Sequence, residues 1–452
     1  MIEQPDISNN EDLRWAIWGI IAVFIFIPYG IYTNVRPFAL LVVAYSTIMT
    51  MLRKPGAPLV VIAMALCMPM FVGLRELGLE PVLAGKVRWI FASIRLSVII
   101  NVGYIVLCRQ SKRLFAGIWI ISILCIFIFS LYGSVSSSLI KVMNLLLYVH
   151  LFFLWCYNED LSLESLYTIT SAIFIFMALY AILQFHYDIT PYRVWYLSTT
   201  RNDEISHAAG LCGNALIFSA IILAYHALLL IKLLAYGKIK IWLLLLVFYT
   251  AIIALERTTI IVIIIEWIVF LAFGFGKIKK NIIPFIILLA LIVLVLNTQI
   301  LDSVLNAFGE RFEQGSEHRF AAYPTVFAAL SDNIYGYGDY DIYHIGQLYG
   351  TFGLIKGFGT LDNFYLTELL KYGVFAIIPI LFYLFYFIKA FITKGTNHDL
   401  FRYVVIMFLP WVLTGFSFNI NSYAQLSVLY YGLVGYIYSL YYKEPISNSV
   451  LN

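Results

Sequence analysis

The chain is poor in charged residues. Lys, Arg, Asp and Glu make up 12% of its 452 residues, while hydrophobic residues make up 62%. Soluble domains average about 25% charged and about 45–50% apolar residues, so this composition excludes an ordinary soluble protein. Apolar runs of the ~20 residues that a membrane-spanning helix needs recur from Arg14 to Tyr442. The sequence therefore predicts an integral membrane protein.

Other missing features narrow the class further. The cysteines show no CxxC spacing, so neither a disulfide framework nor a zinc site is predicted. Runs such as "NLLLYVHLFFLWCY" (144–157) are continuously apolar and do not show the alternation of β-barrel strands. The segment "MIEQPDISNNEDL" lacks the basic region of a cleavable signal peptide. We expect the first helix to act as an uncleaved insertion signal, and the cysteines to be apolar packing residues.

The apolar runs predict an all-α polytopic membrane protein with about 14 transmembrane helices, in a range of about 12–14. Residues 1–452 would form a single membrane domain with an outer loop at 185–207 and a large one at 300–361. Basic residues in the short inner connections place both termini in the cytoplasm. The predicted spans are 14–32, 36–52, 57–74, 84–108, 114–132, 139–156, 165–184, 208–231, 239–255, 258–275, 282–299, 363–388, 402–418 and 423–442. The span at 363–388 has an alternative interpretation, a polar helix followed by the true span.

Several cations remain on the outer side against the positive-inside rule. They fall in the segments 75–95, 185–207 and 300–371. Arginine binds phosphate bidentately and stays charged in a low dielectric, so these cations predict an anion site at the outer surface. Two alternatives stay open: long loops escape the rule, and single arginines often anchor lipid headgroups.

The outer loop 300–361 is rich in residue types that suit a carbohydrate. "EHRFAAYPTVFAALSDN" predicts a short helix from 317 to 331 that Pro324 bends, and "IYGYGDYDIYHIGQLYGTFG" is too rich in glycine for a span. Glycine permits tight turns and close backbone approach. Tyrosine offers a flat ring with a polar tip, which suits sugar rings. Most loops of this composition have no binding function, so this signal is weak unless adjacent outer segments support it.

Two further outer segments support the carbohydrate and anion site. "RNDEISHAAGLCGNALIF" (201–218) puts Arg201 before a helix whose outer end carries Asn214, and "ALERTTIIV" (254–262) puts Arg257 in a tight turn. Below this turn, Glu266 lies about 12 Å deep in the membrane, where a carboxylate is usually paired or functional. Arg88 and Arg95 share a helix face and either guide an anionic lipid, or one of them pairs with Glu266.

Taken in order, these segments resemble the O-antigen ligase and Wzy-type polymerase superfamily. The shared order is an arginine before a Gly-x-x-Gly-Asn helix, the turn "ERTT", an arginine-led helix, "DNIYGYGDY" and "DNFYLTELLKYG". The resemblance covers about residues 200–375. Ligases of the superfamily carry histidine at the first position of the last motif. This chain has Asp362 before Asn363, as the polymerases do, while His318 and His344 nearby keep the ligase alternative open.

The resemblance implies an O-antigen or capsular polysaccharide polymerase in the bacterial inner membrane, active on the periplasmic side. Such a glycosyltransferase joins undecaprenyl-pyrophosphate-linked repeat units without a metal or other cofactor. Its partners would be the lipid-linked donor and acceptor and membrane lipid, with a chain-length regulator as a further candidate, and no nucleic acid. The alternatives are an O-antigen ligase acting on lipid A core or protein, and a polytopic transporter or flippase of lipid-linked glycans.

The implied chemistry gives the candidate residues their roles. Arginines stabilise the departing pyrophosphate, and a carboxylate or histidine takes the proton of the acceptor hydroxyl. Asp362 is the first candidate base, although an Asp before an apolar run also suits a helix cap. The catalytic candidates are Arg201, Arg257, Arg319, Asp362 and His318. The substrate-binding candidates are Asn214, Glu317, Tyr337, Gly338, Asn363, Arg88 and Arg95.

Overall fold

The computed structural model describes residues 10–68, 80–109, 148–159, 161–187, 208–254, 256–274, 322–338, 345, 348–349, 363–395, 398–417 and 424–442. All regular secondary structure in these residues is helical. Five helical stretches of the described residues, the segment Phe364–Tyr383 among them, are long and apolar enough to cross a membrane. The prediction of an all-α polytopic membrane protein is therefore confirmed. The predicted spans at 114–132 and 282–299 lie outside the described residues.

Most described helices lie close to their predicted positions, but the helix in the predicted span 57–74 ends at Leu66, and residues 69–74 of that span lie outside the described residues. Up to Gly274 they are α1 (Asn10–Tyr32), α2 (Val35–Met51), α3 (Ala57–Leu66), α4 (Glu80–Arg109), α5 (Tyr148–Tyr157), α6 (Leu163–Tyr187), α7 (Ala215–Tyr236), α8 (Ile241–Ala254) and α9 (Arg257–Gly274). Beyond it they are α10 (322–332), α11 (Phe364–Tyr372), α12 (Ile377–Tyr383), α13 (Phe385–Ile392), α14 (His398–Thr414) and α15 (Ala424–Tyr442). Helix α6 runs three residues into the segment predicted as the loop 185–207.

The predicted span at 363–388 is divided. Helix α11 ends at Tyr372, a 3-10 turn covers Gly373–Ala376, and α12 and α13 follow as separate helices. Gly373 has a φ of +53°, in the left-handed region that favours glycine. The segment is therefore divided near its middle, and which part of it crosses the membrane stays a prediction.

Helix α7 lies at the centre of the bundle, and its residues from Ile217 to Leu234 are all buried. It packs against α6, α8, α9, α14 and α15.

Small residues let membrane helices approach closely. A Cβ on Gly435 of α15 would lie 2.7 Å from the carbonyl oxygen of Phe153, so the close packing of α15 on α5 depends on this glycine. Cys67, Cys156 and Cys212 are buried, which agrees with the packing role predicted for the cysteines.

The acidic turn between α5 and α6 binds groups from other connections. The Glu159 carboxylate accepts a hydrogen bond of 2.8 Å from the backbone N–H of Gly56. Lys232 lies 2.8 Å from the Glu164 carboxylate, and its ammonium also lies 3.5 Å from the ring centroid of Tyr167. This turn has no basic residue of its own, and the structure shows that Lys232 near the end of α7 supplies the counter-charge.

The orientation of the bundle is open to a direct test. We expect a reporter fused after residue 278 to be cytoplasmic and one fused after residue 345 to be periplasmic, because the inner connections carry the short basic clusters. Paired fusions of an enzyme active only outside the cytoplasm and one active only inside would measure this. A reversed signal at either position would contradict the orientation.

Candidate active site

Residues 208–214 form a turn ahead of α7 that two neighbouring helices hold in place. The buried side-chain oxygen of Gln184 accepts hydrogen bonds from the N–H groups of Ala209 (2.9 Å) and Gly210 (2.8 Å). The N–H of Ala208 donates to the carbonyl of Ile253 at 3.0 Å. Gly210 has a φ of +56°, so glycine suits this position. The turn is therefore fixed to α6 and to the end of α8.

Asn214 is the N-cap of α7. Its side-chain oxygen accepts hydrogen bonds from the N–H groups of Leu216 (2.8 Å) and Ile217 (3.2 Å), as asparagine commonly does at helix starts. The substrate contact expected of Asn214 stays a prediction, and it would fall to the amide nitrogen because the oxygen is used by the helix.

The "ERTT" turn lies beside the turn before α7. Arg257 is the first residue of α9. It lies four residues after Ile253, whose carbonyl accepts the hydrogen bond from the N–H of Ala208. The starts of α7 and α9 therefore lie at the same end of the bundle. The structure brings together these two parts of the predicted site. It describes only the backbone of Arg257, so its anion-binding role stays a prediction.

The "DNIYGYGDY" turn docks on the end of α11, although the two segments are about thirty residues apart in the sequence. Backbone hydrogen bonds join them. These run from Tyr337 N to Leu370 O (2.9 Å), from Gly338 N to Lys371 O (2.9 Å) and from Val374 N to Ile334 O (3.0 Å). The last two motifs of the resemblance therefore form one structural unit.

Two glycines make this docking sterically possible. A Cβ on Gly336 would lie 2.6 Å from the N of Gly373, and a Cβ on Gly373 would lie 1.9 Å from the carbonyl oxygen of Ile334. Both residues have positive φ angles, +82° and +53°. Any larger residue at either position would push the two backbones apart.

Tyr337 is bonded within this unit. Its hydroxyl donates to the carbonyl of Ala329 at 2.9 Å and lies 3.1 Å from the hydroxyl of Tyr349. The hydrogen bonds of Tyr349 to Tyr337 and to Asp332 raise the pKa of the Tyr349 phenol above its ordinary value. The sugar contact predicted for Tyr337 would fall to the ring, and that contact and the one predicted for Gly338 stay predictions.

Asn363 joins three helices. Its side-chain oxygen accepts a hydrogen bond from Leu366 N at 3.0 Å and so caps α11. Its amide nitrogen donates to the Tyr323 hydroxyl on α10 (3.0 Å) and to the carbonyl of Phe416 after α14 (3.1 Å). The cap of α11 is thus Asn363, and the alternative of a capping role for Asp362 is wrong. Substrate binding by Asn363 stays a prediction.

Glu266 does not pair with Arg88 or Arg95. Its carboxylate is hydrogen-bonded to His226 of α7, and both side chains are fully buried. Arg88 and Arg95 are exposed on α4, and the Arg95 guanidinium lies 5.8 Å from the ring centroid of Phe91. The alternative that one of them neutralises Glu266 is wrong, and their guidance of a lipid pyrophosphate stays a prediction.

The remaining candidates are Arg201, Glu317, His318, Arg319 and Asp362, all of which lie outside the described residues. Among the residues that are described, no cluster of three or more His, Cys, Asp or Glu side chains could hold a metal ion. The metal independence expected from the resemblance stays a prediction.

Comparison with known families identifies part of the chain. Residues 242–381 match the family model described as O-Antigen ligase. The match confirms the predicted resemblance to the O-antigen ligase and polymerase superfamily. It runs from α8 to α12 and contains the "ERTT" turn, the docked turn at 334–338 and the Asp362–Asn363 step. No curated protein matches the chain.

The apolar helices indicate a membrane-embedded protein, and its segment 242–381 is similar to the family described as O-Antigen ligase. The family includes both ligases and polymerases, so the match alone does not distinguish the two. The turn before α7, with Asn214, lies ahead of the matched range but is joined to it through Ile253.

Proposed function

We propose that the protein polymerises undecaprenyl-pyrophosphate-linked oligosaccharide repeat units into O-antigen or capsular polysaccharide at the periplasmic face of the inner membrane. The observation that carries the proposal lies within the matched range. There the turn at 334–338 docks through its backbone on the end of α11, and Asn363 ties the start of α11 to α10. A substrate held by the outer loop would therefore meet a rigid helix start next to Asp362.

In the proposed reaction, the acceptor hydroxyl attacks the anomeric carbon of the donor glycan. A new glycosidic C–O bond forms, the C–O bond to the pyrophosphate breaks, and undecaprenyl pyrophosphate leaves with the electron pair. Arg201, Arg257 and Arg319 stabilise the charge that develops on the leaving group, since arginines fixed in a site that excludes water can do this without a metal. Asp362 takes the proton of the acceptor hydroxyl.

The residue at position 362 favours polymerase over ligase, because ligases of the superfamily carry histidine there and this chain carries aspartate. The second candidate is transfer of preformed glycan to lipid A core or protein. The description of the matched family favours it, and His318 would supply the histidine. Transport of lipid-linked glycans is a third candidate function, and an experiment must distinguish it from the other two.

Deletion of the gene, followed by a gel of the surface glycan, separates these functions. We expect the ladder of long chains to disappear while core capped with a single repeat unit remains, because ligation and export continue without polymerisation. Unmodified core alone would contradict the proposal and indicate a ligase or an export defect.

Purified protein gives the matching test in vitro. With lipid-linked repeat units as the only substrate, we expect longer lipid-linked glycans in the presence of EDTA and without added nucleotide. Extension that needs a metal would contradict the arginine-based mechanism. A protein that extends nothing and transfers preformed glycan to lipid A core would be a ligase.

A further inference from the structure

A buried histidine–glutamate pair lies below the candidate site. His226 is on α7 and Glu266 is on α9, the Nδ1 atom of the imidazole is hydrogen-bonded to the Oε2 atom of the carboxylate, and both side chains are 0% exposed. Counted from the helix starts, the two residues lie about 16 Å and about 14 Å along their axes. They are therefore at similar depths inside the membrane, where an ionisable group is expensive and commonly has a role.

The surroundings of the pair favour a link between two helices over a step in a proton relay. The rings of Phe248 and Trp267 have their centroids 6.0 Å and 5.9 Å from that of the imidazole. The nearby Tyr430 hydroxyl donates to the carbonyl of Ala220 at 2.9 Å. Within the described part of the chain, the Nε2 atom of His226 and the Oε1 atom of Glu266 have no hydrogen-bond partner. Among the described residues, the pair therefore bonds to itself and not onward toward either surface.

A polar link of this kind has a mechanical consequence in a membrane. Helices there gain no hydrophobic force from packing on each other, because lipid tails are as apolar as their side chains. A bond between the middle of α7 and the middle of α9 therefore sets how far one helix slides and rotates against the other. The outer starts of these helices carry Asn214 and Arg257.

We propose that His226 and Glu266 are positioning residues that hold the start of α9, with Arg257, in working alignment with the Asn214 turn. This inference rests on the proposed glycosyl transfer. The pair touches no substrate. Its hydrogen bond fixes the relative depth and rotation of the helices that present the site.

Substitutions that keep or remove the hydrogen bond test the proposal. We expect Glu266→Gln to retain chain extension within about threefold, because an amide still bonds to the imidazole. We expect Glu266→Leu to lower kcat by about tenfold to a hundredfold, with a smaller change in KM, since a displacement of about 1 Å costs that much in an aligned site. The exchanged double variant, His226→Glu with Glu266→His, should recover most of the loss because it restores the pair.

Thr250→Val is the matched control. Thr250 is fully buried on α8, and its hydroxyl donates to carbonyls of its own helix, those of Leu246 and Val247. Removing this hydroxyl deletes a buried polar group without breaking a link between helices, so we expect near-normal kcat. A loss equal to that of Glu266→Leu would show that any buried polar deletion has the effect, and would overturn the proposal.

Hydrogen exchange of the purified protein gives a readout that does not depend on activity. We expect Glu266→Leu to speed amide exchange in peptides covering 210–218 and 256–262, and the exchanged double variant to reverse it. If the wild-type protein extends no glycan, the proposed function fails, but this measurement still tests the alignment. The proposal is overturned if Glu266→Gln is as impaired as Glu266→Leu, or if Glu266→Leu changes neither exchange nor kcat.

Discussion

Replacement of Gly373 by alanine is expected to lower glycan extension by at least about a hundredfold, the scale of loss for a site displaced by about 1 Å. The added Cβ would lie 1.9 Å from the carbonyl oxygen of Ile334, and the φ of +53° is strained for any L side chain. The turn at 334–338 would have to leave the end of α11. Its hydrogen bonds to Leu370 and Lys371 would break with it.

Two further glycine substitutions complete this test. Gly336→Ala should have a similar effect, because it closes the same gap from the other side, with the Cβ 2.6 Å from the N of Gly373. Gly103→Ala on α4 is the matched control, since a Cβ there meets no described residue within 4 Å. Ladder length on a gel, at protein amounts equalised by immunoblot, is the measurement. Normal ladders for both Gly373→Ala and Gly336→Ala would show that the docking is not needed for activity.

The sequence is a good guide to the helices because apolar run length and the bilayer thickness specify the same element. Helix α1 was expected at 14–32 and runs Asn10–Tyr32, and α4 was expected at 84–108 and runs Glu80–Arg109. The prediction is weaker for the exact point at which a helix ends. Glu368 and Lys371 make the part before Gly373 more polar than the part after it, but hydropathy does not show that α11 ends at this glycine, where φ is positive.

Contacts between distant segments are the part that the sequence does not determine. The two motifs at 332–340 and 362–373 could be placed on the same outer side, but not in register. Their register depends on backbone hydrogen bonds, which any residue type can make. Gln184 illustrates the same limit: it holds the turn before α7 through two backbone N–H groups, yet in the sequence it is one polar residue near the end of an apolar helix.

The partner of Glu266 shows that depth in the membrane predicts a paired carboxylate but does not predict which residue it pairs with. A carboxylate at that depth was expected to be paired or functional, and it is paired. The sequence offers Arg88 or Arg95 as its partner, whereas the structure supplies His226 from the neighbouring α7. A histidine inside an apolar run such as "LAYHALLL" was the available signal, and periodicity alone does not show which helix it faces.

The identity of the α11 cap sharpens the test of Asp362. An aspartate before an apolar run suits either a cap or a catalytic base, and the sequence left both open. Asn363 accepts the hydrogen bond from Leu366 N at 3.0 Å, so Asn363 and not Asp362 caps α11. Loss of the Asp362 carboxylate should therefore affect the reaction and leave the start of α11 in place.

Asp362→Asn is expected to lower the rate of extension by about 10²–10⁴-fold, the usual worth of general acid or base help, with little loss of thermal stability. The amide keeps the shape and some hydrogen bonding of the carboxylate, but it does not accept a proton at neutral pH. The measurement is single-turnover extension of lipid-linked repeat units by purified protein, with a thermal unfolding curve for each variant.

Substitutions at the neighbouring Asn363 separate chemistry from folding. Asn363→Ala removes the cap and the bonds to Tyr323 and Phe416, so we expect it to cost stability, with the cap alone worth about 0.5–2 kcal/mol. Asn363→Asp keeps the accepting oxygen and should retain the cap while losing the two donated bonds. If Asp362→Asn follows the Asn363 pattern, with stability falling and the rate per folded molecule changing less than about tenfold, Asp362 is not the base. His318 then becomes the residue to substitute, because it is the other candidate base in the outer loop and would restore the ligase alternative.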